Sequence, residues 1–245
     1  MGGSPLILGL DTATLGGSVC LMRGQQILAS IIGDAAISHS SSLLRDIDRV
    51  LQTAGVSLPE IALFAASAGP GSFTGLRIGL ATIKALSATL SRPCLGIPTL
   101  HAVARSAGPS EATVALLPAG RGELFAQLFC VAPDGNVMQQ DVAAHLPPPV
   151  VIEKYGTLRG LTWAGAGAHA FRDFIERQAE SAGIDFEDEG TGSGGWKLAR
   201  REENLAKDIC ALALHRFQTG ELESAEILRA IYVRPSDTEL REQCL

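Results

Sequence analysis

The fold is decided by the stretch Ile61-Ala-Leu-Phe-Ala-Ala-Ser-Ala-Gly-Pro-Gly-Ser-Phe-Thr-Gly-Leu-Arg-Ile-Gly79. Its first six residues form a short apolar run that predicts a buried strand. The chain then breaks at Gly69-Pro70-Gly71 and is expected to continue as a helix from about Thr74 to Leu90. A helix that starts at such a turn directs backbone N–H groups and the positive end of its dipole toward the turn, which favours an anion.

The glycine turn has two interpretations, which the residues alone leave open. It can be a tight strand-to-helix connection whose helix is capped by a hydroxyl side chain of the turn. Alternatively, Gly69, Gly71 and Gly75 let a ligand or a partner's backbone approach closely. It is not a Walker A phosphate loop, because only three residues separate Gly71 from Gly75 and Leu76 stands where that motif has lysine.

The helix after the turn is apolar around most of its circumference. Between Gly75 and Leu90 its only charged residues are Arg77 and Lys84. A helix that is apolar on nearly all sides is expected to be buried on nearly all sides. We therefore expect part of this helix to be covered by another subunit.

Length and composition are those of a globular α/β protein. The 245 residues suffice for one large domain or two lobes, and 46% of them are hydrophobic. The net charge of −6 and the lack of a Lys/Arg-rich run argue against tight binding of tRNA or DNA by this chain alone. Five scattered cysteines without metal-ligand spacing indicate free thiols in a reducing, cytoplasmic setting. No apolar run approaches the roughly 18 residues of a membrane span, so none is expected.

The first half of the chain predicts a mixed sheet that carries helices. Strands at 6–10, 18–22 and 26–32 form an antiparallel meander. An amphipathic helix at 38–54 follows, capped by Ser38 and ended by Gly55. Asp11 lies at the tip of the first strand, where it either closes an Asx-type turn or orients a metal or water beside a bound phosphate. The candidate nucleotide or anion contacts are Asp11, Thr12, Gly69, Gly71, Ser72 and Thr74.

The second half repeats this plan. Strands at 112–117 and 124–131 form a new hairpin, which suggests an internal duplication. We place the boundary near Gly108, giving an N-terminal lobe at 1–107 and a C-terminal lobe at 108–245 whose last helices pack back on the first lobe. Gly165-Ala-Gly167 forms a second glycine turn before a helix at 169–182, residues 187–201 are interpreted as a solvated loop, and 204–219 as a helix.

Five sequence motifs lie at residues 8–14, 69–79, 95–100, 121–125 and 231–235. They resemble the motifs of the TsaB (YeaZ) family of bacterial tRNA threonylcarbamoyladenosine biosynthesis, and the block at 69–79 is highly specific. The resemblance is strong over residues 6–105 and thin from there to Tyr232. It implies an α/β, two-lobed fold of the actin, sugar-kinase and heat-shock-chaperone (ASKHA) superfamily, in which each lobe starts with a β-hairpin.

The resemblance also implies a partner subunit without catalytic residues of its own. Members of the family pair with TsaD, the metal-bearing paralogue that transfers threonylcarbamoyl to adenosine in tRNA, and with the ATPase TsaE. They reach tRNA only through the complex and form homodimers when alone. The family's contact helices correspond to 38–54 and 75–90 here. The implied interface residues are Leu43, Ile47, Leu76, Arg77, Leu80, Ile83 and Lys84.

Two alternatives stay open at this point. One is an ATP-binding kinase or ATPase of the same superfamily, suggested by the turns at 11–14 and 165–167; the other is a homodimeric structural protein without a nucleotide. Many family members carry Asp-Ala-Arg where this chain has Pro118-Ala-Gly120, so a carboxylate used by superfamily ATPases is missing. We expect no intrinsic metal or cofactor, with ATP or ADP confined to a subunit junction if either binds. No Ser-His-Asp, Cys-His or metal-protease pattern supports a protease.

Overall fold

The computed structural model describes residues 4–188 and 194–233, and its first sheet is built from the N-terminal part of the chain. The strands of this sheet are β1 (Leu6–Asp11), β2 (Ser18–Arg23), β3 (Gln26–Ile32), β4 (Leu63–Gly69) and β5 (Cys94–Pro98). The helices between them are α1 (His39–Ala54), α2 (Phe73–Leu90) and α3 (Thr99–Ser106), with a 3-10 turn at Leu58–Glu60. The strand order is β3-β2-β1-β4-β5, antiparallel from β3 to β1 and parallel from β1 to β5. The predicted antiparallel meander is confirmed, and the elements of this part of the chain follow in the order βββαβαβα.

The second sheet follows the same plan. Its strands are β6 (Ser110–Gly120), β7 (Glu123–Val131), β8 (Val137–Gln139), β9 (Ala144–Leu146), β10 (Thr162–Ala164), β11 (Phe186–Asp188) and β12 (Trp196–Leu198). The remaining helices are α4 (Pro148–Tyr155), α5 (Ala166–Ala170), α6 (Arg172–Ser181) and α7 (Leu205–Gln218). The order is β11-β12-β10-β6-β7-β8, with β9 paired to β7. The β6–β7 hairpin is antiparallel and β10 runs parallel to β6, as β4 does to β1.

The chain divides into two compact units. The first unit comprises residues 4–102 and 203–230, and the second unit comprises 103–188, 194–202 and 231–233. In the first unit, α7 lies on β1 and β2, where a Cβ atom added at Gly9 would overlap the Cys210 sulfur. The Ser18 hydroxyl accepts a 3.0 Å hydrogen bond from the Ala206 N–H in the first turn of α7. Helix α7 is therefore an integral part of the first unit.

Three sequence predictions about local structure are wrong. Residues 187–201 are not simply a solvated loop, because β12 contains Trp196, which is 1% exposed and packs edge-on against Trp163 at 5.1 Å between ring centroids. The single helix predicted at 169–182 is divided into α5 and α6 at Phe171. Ser38 precedes α1, but its side chain makes no capping bond and contacts the Ser40 hydroxyl instead.

Some predictions fall partly outside the described residues. Arg234 and Pro235 of the last motif, Cys244, and residues 189–193 of the predicted loop lie there. Within the described ranges, Cys20, Cys94, Cys130 and Cys210 are free thiols. No helix in the described part of the chain is long and apolar enough to cross a bilayer.

Candidate functional site

The turn after β1 is closed by its own aspartate. One Asp11 carboxylate oxygen accepts a 2.9 Å hydrogen bond from the Ala13 N–H, and the other accepts a hydrogen bond from the Thr14 hydroxyl. Asp11 is 1% exposed. The bond from the Ala13 N–H makes this an Asx-type turn, and the Thr14 hydroxyl supplies a donor for the second carboxylate oxygen.

The glycines in and after the turn that follows β4 allow residues 12 and 13 of the chain to pack closely against them. A Cβ atom at Gly75 would overlap the Thr12 carbonyl oxygen, and one at Gly79 would overlap the Thr12 hydroxyl. At Gly71 the added atom would lie 2.6 Å from the Ala13 carbonyl oxygen, which already accepts a 2.8 Å bond from the Ser72 N–H. The expectation that Gly71 and Gly75 leave space for a ligand is wrong, because residues 12 and 13 fill that space.

The predicted anion contacts separate into an interior set and a surface set. Thr12 and Gly69 are buried, and their N–H groups donate to the Ser67 hydroxyl at 3.2 Å and to the Thr99 hydroxyl at 3.1 Å. Ser72 and Thr74 are exposed at the start of α2, where the Ser72 hydroxyl accepts a 3.2 Å bond from the Gly75 N–H. Ser72 therefore caps the helix, and the six residues do not converge on one solvent-facing site.

Helix α2 is buried along one stripe, not on nearly all sides. Its buried residues are Gly75, Leu76, Gly79, Leu80, Ile83 and Ser87. On the opposite side Ala81, Ala85 and Ala88 are exposed. The prediction failed because alanine counts as apolar in a sequence pattern yet loses little by remaining in water. Of its charged residues, Arg77 stacks on the Phe73 ring at 3.8 Å, and the Lys84 ammonium donates to the Leu228 carbonyl at 3.2 Å.

Most of the predicted interface side chains lie in the core of the first unit. Those buried there, each at most 6% exposed, are Leu43, Ile47, Leu76, Leu80 and Ile83. A partner cannot cover side chains that the chain itself already covers, so in this conformation they support the surface rather than form it. Arg77 and part of Lys84 reach solvent.

An apolar groove lies between α1, the segment 55–58 that follows it, and Leu86 of α2. It has a volume of about 400 Å³. Its apolar lining consists of Leu44, Ile47, Leu51, Val56, Leu58 and Leu86. Leu44 is 69% exposed, whereas its neighbour Leu43 is buried. Sequence reasoning missed Leu44, although an apolar residue beside the buried stripe of an amphipathic helix is a usable signal for a contact surface.

The second glycine turn has the same packing role as the first. Gly165 has φ +92°, and a Cβ atom there would lie 2.5 Å from the Leu116 carbonyl oxygen. At Gly167 an added Cβ would lie 2.9 Å from the Leu116 Cβ. These glycines let α5 pack directly on β6. In the described residues, no group of three or more His, Cys, Asp or Glu side chains is placed to hold a metal ion.

Comparisons with known proteins agree on one pathway. A family profile described as "TsaD: tRNA N6-adenosine threonylcarbamoyltransferase" matches residues 32–134. The tRNA threonylcarbamoyladenosine biosynthesis protein TsaB of Escherichia coli is 28% identical over 237 residues, which is 93% of this chain and 94% of that protein.

Solved structures agree on the fold. YeaZ from Pseudomonas aeruginosa has a TM-score of 0.72 at 25% identity, covering 93% of this chain and 99% of that one. Component A of (R)-2-hydroxyglutaryl-CoA dehydratase from Acidaminococcus fermentans has a TM-score of 0.52 at 11% identity, covering 87% and 99% of the two chains. The second likeness concerns the fold alone. Together they confirm the predicted ASKHA-type α/β fold class.

Proposed function

The chain belongs to the TsaB (YeaZ) family, and from this premise we propose that it is a non-catalytic subunit that binds a TsaD-like transferase. Membership of the family gives it a role in tRNA threonylcarbamoyladenosine biosynthesis. In our proposal it binds the transferase and a TsaE-like ATPase in the cytoplasm, and so makes threonylcarbamoyl transfer to adenosine possible. In the absence of the transferase, a second copy of the chain occupies the same surface.

The observation that supports a binding role is the groove between α1 and α2. Leu44 lines the groove and is 69% exposed, while the lining residues Ile47 and Leu51 are buried. Two polar residues, Asp48 and Gln52, also line the groove and are joined by a 2.7 Å hydrogen bond. An apolar centre inside a polar rim is the usual anatomy of a protein–protein contact.

The turns at 11–14 and 165–167, which suggested an ATP-using enzyme, do not support that function in the structure of either unit. The first turn is packed against Thr12 and Ala13, and the second against Leu116. Asp11 is engaged with its own turn. We therefore do not propose the kinase or ATPase alternative. ATP or ADP at a subunit junction stays a prediction, which calorimetry with the assembled complex and Mg²⁺ can test.

The proposal is tested by mixing this protein with its cognate TsaD-like transferase and measuring mass by light scattering at micromolar concentration. Leu44→Asp should weaken the complex about 10- to 100-fold. Burying one leucine contributes about 1.5–3 kcal/mol, and each 1.4 kcal/mol is about tenfold in Kd. The fold should survive, because Leu44 is mostly in water in the isolated chain.

The matched control is Val142→Asp, which places the same charge at an equally exposed apolar position outside α1 and α2. It should leave the affinity unchanged. Leu80→Glu and Ile83→Glu are unsuitable, because a charge at either buried site would disrupt the core of the first unit. Absence of any heterocomplex, or equal effects of the Leu44 and Val142 variants, would refute the proposal.

A further inference from the structure

The first sheet ends at β5, which lies at the edge of the sheet in the described part of the chain. The Phe64 N–H of β4 donates to the Pro93 carbonyl at 3.2 Å, so the backbone groups of residues 93, 95 and 97 face β4. The backbone groups of the alternate residues, Cys94, Gly96 and Pro98, therefore face outward. Such an outward row is a template for pairing with the backbone of another chain.

Each of the three outward positions is closed in a different way. The Cys94 N–H donates to the Glu223 carbonyl at 3.1 Å, and the Gly96 carbonyl accepts from the Arg216 guanidinium at 3.1 Å. Pro98 has no N–H to offer. Glu223 belongs to residues 221–228, which we call the strap. Among the described residues the strap pairs with the five-residue β5 at a single bridge, so it depends on side chains to stay in place.

Arg216 of α7 joins the strap to the edge of the sheet. Its guanidinium donates to the Glu221 carboxylate at 3.2 Å and to the Glu223 carboxylate at 3.0 Å, in addition to the Gly96 carbonyl. Hydrogen bonds between charged groups are stronger than neutral ones, and the fork of the guanidinium can make several at once. One side chain therefore occupies an outward acceptor of β5 and also fixes the strap.

The far end of the strap is fixed by packing. Leu228 is 1% exposed and lies against Gly96, where an added Cβ atom would be 2.8 Å from the Leu228 Cδ1. The Lys84 ammonium of α2 donates to the Leu228 carbonyl at 3.2 Å. A glycine at position 96 therefore lets the strap approach the strand closely.

We propose that Arg216 and the strap form a guard that prevents β5 from pairing with β5 of a second copy of the chain. Two copies of one edge strand are complementary to each other, because antiparallel pairing about a twofold axis brings the same residues together. The guard is built from β5, α7 and the strap, whereas the groove is lined by α1, residues 55–58 and Leu86. Without the guard, the chain associates through its sheet edge whether or not the groove binds a partner.

The test uses Leu44→Asp as the background, so that association through the groove is weakened in every sample. Arg216→Met removes the guanidinium and keeps a long apolar side chain. In sedimentation velocity over the micromolar range, the mass of Leu44→Asp/Arg216→Met should at least double with rising concentration, while that of Leu44→Asp stays constant. Arg177→Met is the matched control, because Arg177 is an exposed arginine of α6. Added to the same background, it should leave the mass unchanged.

Amide hydrogen exchange identifies the surface that associates. In dilute Arg216→Met samples the Cys94 amide should exchange at least about tenfold faster than in the background, because its Glu223 acceptor is released. At high concentration its protection should return as the two edges pair. The buried Leu8 and Leu10 of β1 report on the stability of the first unit. If their amides accelerate as much as Cys94, Glu223→Ala replaces Arg216→Met and should give the same two results.

Three outcomes would overturn the proposal. The mass could stay constant although the Cys94 amide is released, or the Cys94 exchange rate could be unchanged by the substitution. The mass could also rise while the Cys94 amide stays unprotected at high concentration, which would place the association at another surface.

Discussion

The close approach of α2 to the turn after β1 can be tested at Gly79. In an ordinary helix interior, Gly→Ala stabilises by about 1 kcal/mol. Here the new methyl group would overlap the Thr12 hydroxyl. Overpacking of this kind costs about 1–3 kcal/mol, so Gly79→Ala should be neutral or destabilising by up to about 2 kcal/mol.

Thr12→Ala should relieve this overlap. It removes the Thr12 hydroxyl and leaves the Thr12 Cβ, 3.3 Å from the added methyl, as the nearest atom of that residue. In the Thr12→Ala background, Gly79→Ala should therefore stabilise by up to about 1 kcal/mol, which gives a coupling free energy of about 1–3 kcal/mol in a double-mutant cycle. Gly75→Ala is the contrast, because its methyl group would meet the Thr12 main-chain carbonyl. It should destabilise by about 2 kcal/mol or more in both backgrounds.

The free energies come from urea unfolding followed by far-UV circular dichroism. Both tryptophans, Trp163 and Trp196, belong to the second unit, so their fluorescence shows whether a variant affects that unit as well. If Gly79→Ala stabilises equally in both backgrounds, the close approach of α2 to Thr12 is refuted. The same conclusion follows if Thr12→Ala rescues Gly75→Ala.

Three further predictions concern other parts of the fold. Ser18→Ala should cost about 0.5–2 kcal/mol and speed hydrogen exchange in α7, because the first turn of that helix loses a buried acceptor. Gly165→Ala should destabilise the second unit by about 1–3 kcal/mol in urea unfolding, because φ is +92° and the methyl would meet the Leu116 carbonyl. Burial and the charge of Arg216 lower the pKa of His101 from 6.5 to about 4, so its neutral form is favoured in the folded state. The contribution of neutral His101 to the free energy of unfolding is fully present above pH 6.5 and should be lost as the pH falls toward about 4. The midpoint of urea unfolding, measured as a function of pH, checks this.

Each of these predictions has an internal control. Gly183→Ala is the control for Gly165→Ala. Gly183 has φ +65°, but a Cβ atom added there would have no other atom within 4 Å, so this variant measures backbone strain without steric overlap. It should cost less than Gly165→Ala. His101→Gln should flatten the pH dependence below 6.5. If the pH profile is unchanged by this substitution, other groups cause the loss of stability. If hydrogen exchange in α7 is the same in Ser18→Ala as in the wild-type protein, the Ser18 hydroxyl does not stabilise that helix.

Elements whose pattern is long and local were predictable from the sequence. The meander of β1 to β3 follows from short apolar runs separated by turn residues. The helix α1 follows from a repeat of three to four residues and from Gly55, which takes the left-handed conformation at its end. Trp196 was missed because a three-residue strand beside glycine and serine shows no period. Short strands of this kind depend on tertiary pairing, here with β10 and β11.

The candidate site was harder to predict than the fold. The sequence identified Gly75 as a position of close approach, but it could not identify what approaches it. The neighbour is Thr12, more than 60 residues earlier in the chain. Leu80 and Ile83 were assigned to a partner because a buried helix stripe looks the same whether its own chain or another one covers it.

The position of α7 has a consequence for how the protein is made. The Ser18 hydroxyl meets its donor, Ala206, 188 residues later in the chain. The ribosome synthesises the chain from its N-terminus, so the α7-facing side of β1 and β2 stays uncovered until most of the protein has emerged. Premature termination before residue 203 would release a nascent chain with this apolar face exposed. The core of the first unit is therefore completed only after α7 has been synthesised, long after its first two strands.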